Sequence, residues 1–169
     1  MKNILAIMVI LVLVFSAATN SYTTSGPSYG NLYEDGGSTN ITITTAGTYY
    51  QWATSTAGSS FNTTLSTSSD NITIDAGGAG IYLATVNVSA SCVGSSAEAK
   101  VAIFVNGSRQ VNVTNYARIE NLGAEPLSAC GIITLAVGDV VDIRFTSGTN
   151  GDVVIPTNVN FTLNRIRKI

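Results

Sequence analysis

The ten residues Ile81-Tyr-Leu-Ala-Thr-Val-Asn-Val-Ser-Ala90 decide the fold class. One phase holds Tyr82, Ala84, Val86, Val88 and Ala90, and the other holds Thr85, Asn87 and Ser89. A two-residue period sends the first set to a core face and the second toward solvent, so this stretch predicts a β-strand.

The same texture repeats on both sides. Ahead of it, Ile72 and Ile74 alternate before the glycine-rich turn Asp75–Gly80, and Ile41 and Ile43 alternate with threonines. Ala46-Gly47 turns the chain before Tyr49, Tyr50 and Trp52. Downstream, Val101–Val105 predicts a strand, and Asn106-Gly107 predicts a tight hairpin into Val111 and Val113. Leu127–Val137 follows, then the turn Gly138-Asp139, the strand Val140–Phe145 and a closing strand with Val159, Phe161 and Leu163. Ser55–Asp70, mostly Ser, Thr, Gly and Asn, reads as a long loop with at most one edge strand. About eight to ten short strands and no helix predict an all-β, two-sheet antiparallel sandwich over residues 40–169.

Two segments precede that body. Lys2, twelve apolar residues from Ile4 to Phe15, and then Ser16-Ala-Ala18 have the layout of a secretory signal peptide, residues 1–18. A permanent span needs about 20 apolar residues, so this run is short for one. Export is therefore expected, with membrane contact only through this segment if it is retained. Residues 19–39 are rich in Gly and hydroxyls and lack any period, which predicts a flexible arm or linker. Its tyrosines Tyr22, Tyr29 and Tyr33 suit docking onto a surface.

Composition narrows the chemistry. Charged residues are 11% of the chain, against roughly 25% in ordinary domains, while Ser and Thr number 39. A net charge of −2 speaks against nucleic acid as a partner. Histidine is absent, so no Ser-His-Asp or Cys-His arrangement can be built. Lys100 and Lys168 lie in no nucleophile motif. Asp139 and Asp142, the closest acidic pair, read as a turn residue and a polar-phase strand residue. No enzyme, catalytic residue or cofactor is expected. Asp70, Asp75, Asp139, Asp142 and Asp152 fall at or near turns without calcium-loop spacing, so no metal is expected either.

Export bears on two further features. Cys92 and Cys130 are an even pair that an oxidising compartment would let bridge; two buried thiols are the other reading. Seven N-x-S/T sequons begin at Asn40, Asn62, Asn71, Asn87, Asn106, Asn112 and Asn160, and they are glycosylation candidates in a host that uses the motif. Asn87, Asn112 and Asn160 each sit between apolar neighbours, so the pleat points them outward. The basic tail Arg165–Lys168 reads as solvated charge.

Several of these stretches resemble one family. Asn71–Leu83 (NITIDAGGAGIYL) is similar to the polar-turn, Gly, x, Tyr strand of the tumour-necrosis-factor-like jelly rolls. That superfamily includes the globular heads of complement's first recognition component and many phage and spore-surface proteins. Val101–Gly107 (VAIFVNG) resembles its strand ending in an Asn-Gly turn. Leu135–Ile143 (LAVGDVVDI) resembles its Gly-Asp signature, and Asn158–Ile166 (NVNFTLNRI) its final strand. The resemblance spans roughly residues 40–166 in the family's order. It implies a ten-strand jelly roll that trimerises about a three-fold axis, with inner-sheet aromatics facing the axis and no shared catalytic residues. By motif position Tyr82 matches the family tyrosine near that axis; an ordinary core aromatic is the other reading. Some members bind calcium near the axis.

These readings together predict a secreted, non-enzymatic surface protein. Its trimeric head would present loops Ser55–Asp70, Asn115–Glu125 and Ser147–Asn158 to a receptor, glycan or envelope partner. The alternative is a structural subunit of an extracellular filament or virion coat, joined by strand addition through the arm.

Overall fold

A computed structural model describes residues 26–93, 97–121 and 123–169. The signal segment 1–18 and arm residues 19–25 lie outside the described residues. Twelve strands follow in chain order: β1 Tyr29–Asp35, β2 Ile41–Thr42, β3 Tyr50–Gln51, β4 Thr56–Phe61, β5 Thr63–Ser66 and β6 Asn71–Ile74. The second half holds β7 Gly80–Val93, β8 Ala97–Val105, β9 Ser108–Ile119, β10 Glu125–Leu135, β11 Val140–Ser147 and β12 Val153–Lys168.

All ladders are antiparallel and fall into two sheets. One has the order β10-β7-β12-β1-β4, with β2 also on β12; the other has β5-β6-β11-β8-β9, with β3 also on β11. From β9 onward each strand crosses to the opposite sheet, which is jelly-roll winding. The two inner faces interdigitate as one core. Tyr82, Ala84, Val86, Val88, Ala90 and Cys92 of β7 all point into it, as their alternation requires. Val101 and Ile103 of β8 and Val141, Ile143 and Phe145 of β11 meet them from the other sheet.

The turn chemistry matches the sequence. Val105 pairs with Ser108 across a two-residue loop in which Asn106 and Gly107 both have positive φ, 49° and 76°. That is the type I′ geometry, whose twist matches the strands it joins. Asp139 N–H donates to Ala136 O over 3.2 Å, with Gly138 at φ 87°. Left-handed backbone at this third turn position favours glycine.

Three expectations are corrected. Residues 29–35 of the arm form β1, held between β12 and β4, and Leu32 is fully buried. Strand character is masked there because the inward phase reads Gly30, Leu32 and Glu34, only one of which is a large hydrophobe. Ser55–Asp70 is mostly the strands β4 and β5 rather than a loop. The basic tail continues β12; Arg167 and Lys168 are exposed as expected, whereas Arg165 is half-buried and its guanidinium donates to Gly77 O (2.5 Å), Ala79 O (3.2 Å) and Gly26 O.

Candidate functional site

The two sheets turn chemically different faces to the outside. On the β7–β12 sheet, the cross-strand row Tyr33, Asn160, Asn87, Ser128 runs beside the row Asn31, Thr162, Thr85, Cys130. A third row holds Tyr29, Asn164, Leu83 and Ile132. None of these twelve side chains is charged, and on β1 the outward phase reaches a charge only at its end, where exposed Asp35 pairs with Asn158. Amides and hydroxyls bond among themselves: Asn31 Nδ2 donates to Asn160 Oδ1 (3.2 Å), Thr162 Oγ1 (3.1 Å) and Phe161 O (3.1 Å). A shallow hollow of about 370 Å³ opens here beside Tyr33, Asn87, Ser89, Asn158 and Asn160. Ile132, 56% exposed, and Tyr33, 37% exposed, supply apolar area.

The β8–β11 sheet carries the charge. Its outward phase holds Glu98, Lys100 and Phe104 of β8, Asp142 and Arg144 of β11, and Arg109 and Arg118 of β9. Four cations face two carboxylates there, on a chain whose net charge is −2. Arg144 binds Asp142 through two bonds, Nε–Oδ1 2.6 Å and Nη2–Oδ2 2.9 Å. The same bonds push the pKa of Arg144 up, and its Cζ sits 4.4 Å from the Phe104 ring centroid. Tyr49 covers Phe104 at 5.3 Å between centroids. Arg109 then lies over Tyr49 at 5.4 Å, with Nη1 3.3 Å from the phenol oxygen. The result is a stacked run of Arg144, Phe104, Tyr49 and Arg109 on the sheet's outer face.

A break in the β8–β9 ladder shapes this face. Ala102 pairs with Thr114 and Phe104 with Arg109, so Gln110, Val111, Asn112 and Val113 stand opposite Ile103 alone. Thr114 Oγ1 closes the bulge by donating to Gln110 O over 3.1 Å. The displaced segment is tied to the edge strand of the other sheet, where Asn112 Nδ2 donates to Ile132 O (2.8 Å) and Asn115 Nδ2 to Ser128 O (2.6 Å). Two small hollows flank the bulge and share Tyr49, Lys100 and Arg109. One, about 190 Å³, adds Val111, Thr114, Asn115 and Tyr116. The other, about 230 Å³, adds Gly47, Thr146, Ser147 and Gly148.

Other residues singled out from the sequence are placed as follows. Tyr82 is fully buried inside its own sandwich. Its hydroxyl donates to Gly78 O and lies 2.5 Å from Ser28 Oγ. Burial raises its pKa, with the Ser28 bond and Arg165 pulling the other way. An axis-facing residue has to be open in a single chain, so the core reading describes this tyrosine, and the trimer-axis assignment is corrected.

The expected Cys92–Cys130 disulfide is absent. Cys130 is exposed on β10 opposite Thr85. Cys92 is buried seven residues further along β7, on the opposite face. At ~3.3 Å per residue that is roughly 23 Å, whereas a bridge needs Cα atoms within about 7 Å. Asp139 is the turn residue expected, accepting from Ala136 N (2.8 Å) and Asn106 Nδ2 (2.8 Å). Among the described residues no three His, Cys, Asp or Glu side chains converge.

The sequons divide by setting. Asn40, Asn87, Asn106, Asn112 and Asn160 are exposed, and Asn62 and Asn71 half-buried. The expected contact loops are in part strand. β9 runs to Ile119 within Asn115–Glu125, and β12 begins at Val153 within Ser147–Asn158. Asn115, Ser147 and Gly148 nonetheless line the hollows at the bulge. Arg109 and Tyr49, which sequence reading passed over, are the residues that organise this face. A cation two residues past the Asn-Gly turn was the available signal.

The winding and sheet order define the tumour-necrosis-factor-like jelly roll, and this chain has that fold. Three solved structures overlay most of it. Eiger TNF from S. frugiperda matches with TM-score 0.60 at 12% identity, covering 84% of this chain and 95% of that one. PRD1 vertex protein P5 matches with TM-score 0.57 at 15% identity, covering 83% and 97%. Murine APRIL matches with TM-score 0.53 at 14% identity, covering 83% and 99%. No protein-family model matches the sequence, and a comparison with curated proteins finds no match.

Proposed function

We propose that this is an exported, non-enzymatic surface protein whose jelly-roll body forms a trimer through the outward face of the β7–β12 sheet. The opposite sheet and the loops beside it are then free to engage a receptor, glycan or envelope partner. The observation that carries this reading is the uncharged face of Asn31, Thr85, Asn87, Asn160 and Thr162, set against the charged face opposite. Interface cores are depleted in charge, because burying an unpaired ion costs far more than burying a bonded amide. Closed homo-oligomers are common, so the assembly needs no special device.

The likeness to PRD1 vertex protein P5 favours a second reading, a structural subunit of a virion coat or filament. Strand donation through residues 29–35 would oblige β1 to leave its own sheet, and Gly26 and Ser28 are bonded to Arg165 and Tyr82, so any donated segment would come from residues ahead of Gly26.

Light scattering on residues 19–169 tests both. A stable mass three times that of the chain is expected, falling to one chain in Asn160→Arg, which places a cation in the middle of the face. A wild-type monomer overturns the trimer. An open-ended size distribution replaces it with the filament.

A further inference from the structure

We propose that the hollow at the β9 bulge binds a carboxylated sugar, with Arg109 and Lys100 taking the carboxylate and Tyr116 carrying the ring. This rests on the reading of the molecule as a binding head and names the ligand of its charged face. Of the cations around this hollow Arg109 is the one without a carboxylate, since Lys100 pairs with Glu98 and Arg144 with Asp142. A guanidinium offers five N–H donors in a planar fork, and here one is spent on Tyr49 Oη. Stacking on Tyr49 holds the fork in place before any ligand arrives. Preorganisation of this kind lowers the ordering cost of binding.

Lys100 stands directly opposite Tyr116 on β9, and Tyr116 is 64% exposed. Val111, 73% exposed, also lines the hollow. An exposed phenol ring and an isopropyl group beside two cations suit a ligand with an apolar ring face and an anionic edge, which a sugar acid has. Thr114 Oγ1 spends its proton on Gln110 O and keeps acceptor capacity for a sugar hydroxyl. The volume of about 190 Å³ lies below the ~300 Å³ where drug-sized sites begin, so the hollow takes a single ring. The second hollow, across the shared Tyr49, Lys100 and Arg109, extends the track to an adjoining ring. An acidic peptide matches the charge but not the flat apolar face of Tyr116.

The test is calorimetric titration of residues 19–169 with trigalacturonate and with sialyllactose, which separate uronate from sialate sources. Maltotriose and lactose are the neutral controls, and a glutamate-rich peptide is the protein-like one. At least one acidic saccharide is expected to bind, its neutral counterpart at least about tenfold more weakly, since the charge-assisted bonds are the strong ones. Arg109→Gln should weaken binding by about tenfold or more, and Tyr116→Ala should weaken it as well. Both positions are exposed, so each variant should fold, which circular dichroism checks. Equal binding of neutral sugars, no binding of either acidic saccharide, or an Arg109-dependent affinity for the peptide as high as for the saccharide overturns the proposal. Light scattering on the same samples separates the two readings: a monomer that binds sinks only the trimer, and a trimer that does not bind sinks only the sugar site.

Discussion

Asn160 of β12 stands directly opposite Asn87 of β7 on the outward face of their sheet, and both side chains are exposed. Each begins a sequon, so a glycan on either would cover the uncharged face on which assembly is proposed. The two uses exclude each other. Expressed in a glycosylating host, the protein should carry glycans at exposed Asn40 but none at Asn87 or Asn160, as peptide mass spectrometry would read. Full occupancy at Asn87 together with a trimeric mass would show that another surface joins the subunits.

The cysteines should behave as two independent thiols. Cys130 is exposed, whereas burial and then the nearby Asp152 carboxylate raise the pKa of the Cys92 thiol. The thiolate is the reactive form, so Cys92 is doubly protected. In the monomeric Asn160→Arg variant iodoacetamide should add one label, at Cys130, and two in denaturant; in the trimer, whose proposed interface includes Cys130, that label should be slowed. A native protein that takes no label and shifts mobility on reduction would instead reveal the disulfide that the register forbids.

Glu34 joins β1 to the segment after β3. Its carboxylate accepts from Trp52 Nε1 (2.9 Å) and Thr54 Oγ1 (2.9 Å), and both Glu34 and Trp52 are buried. Removing it strands an indole N–H away from water, which costs about 1–3 kcal/mol. Glu34→Ala should lower stability by that amount in urea unfolding followed by the fluorescence of Trp52, the single tryptophan. Glu34→Gln retains an acceptor for the indole and should lose less.

Stability should also fall at alkaline pH. Burial raises the pKa of Tyr82, and that of Cys92 as well. The native state therefore holds these protons more tightly than the unfolded chain, whose values lie near ~10 and ~8.5. The stabilisation is complete below the unfolded values and is lost as pH rises through the folded ones. The urea midpoint should decline from about pH 8.5 upward, and Tyr82→Phe should flatten the slope near ~10. An unchanged slope in that variant would assign the titration elsewhere.

Strands with a clean apolar phase were legible from residue order alone, as Tyr82 to Ala90 illustrates. β1 was hidden because its buried positions are Gly30, Leu32 and Glu34, and the burial of Glu34 makes sense only once Trp52 is beside it. The charged face was hidden for a different reason. Tyr49, Lys100 and Arg109 meet through pairing between distant segments, and the hollow exists only because four residues of β9 bulge opposite Ile103. No local spacing encodes either fact. Cys92 and Cys130 mislead for the same cause, since their separation depends on the β7–β10 register.

Gly131 fixes how closely that bulge can approach the neighbouring sheet. A Cβ built there would meet Val113 Cγ2 at 2.7 Å and the backbone oxygen of Asn112 at 2.8 Å. Neither can yield cheaply, because the second is main chain and Val113 is in the core. Gly131→Ala should therefore push residues 112–113 away from β10 and weaken the bond from Asn112 Nδ2 to Ile132 O. Overpacking of this kind costs typically about 1–3 kcal/mol. Because Val111 and Thr114 flank the displaced segment, the same variant should also weaken any ligand held at Arg109 and Tyr116. Hydrogen exchange of the β9 amides would register the shift directly. Unchanged protection there, with stability unchanged, would mean that β9 is not seated on β10 at Gly131.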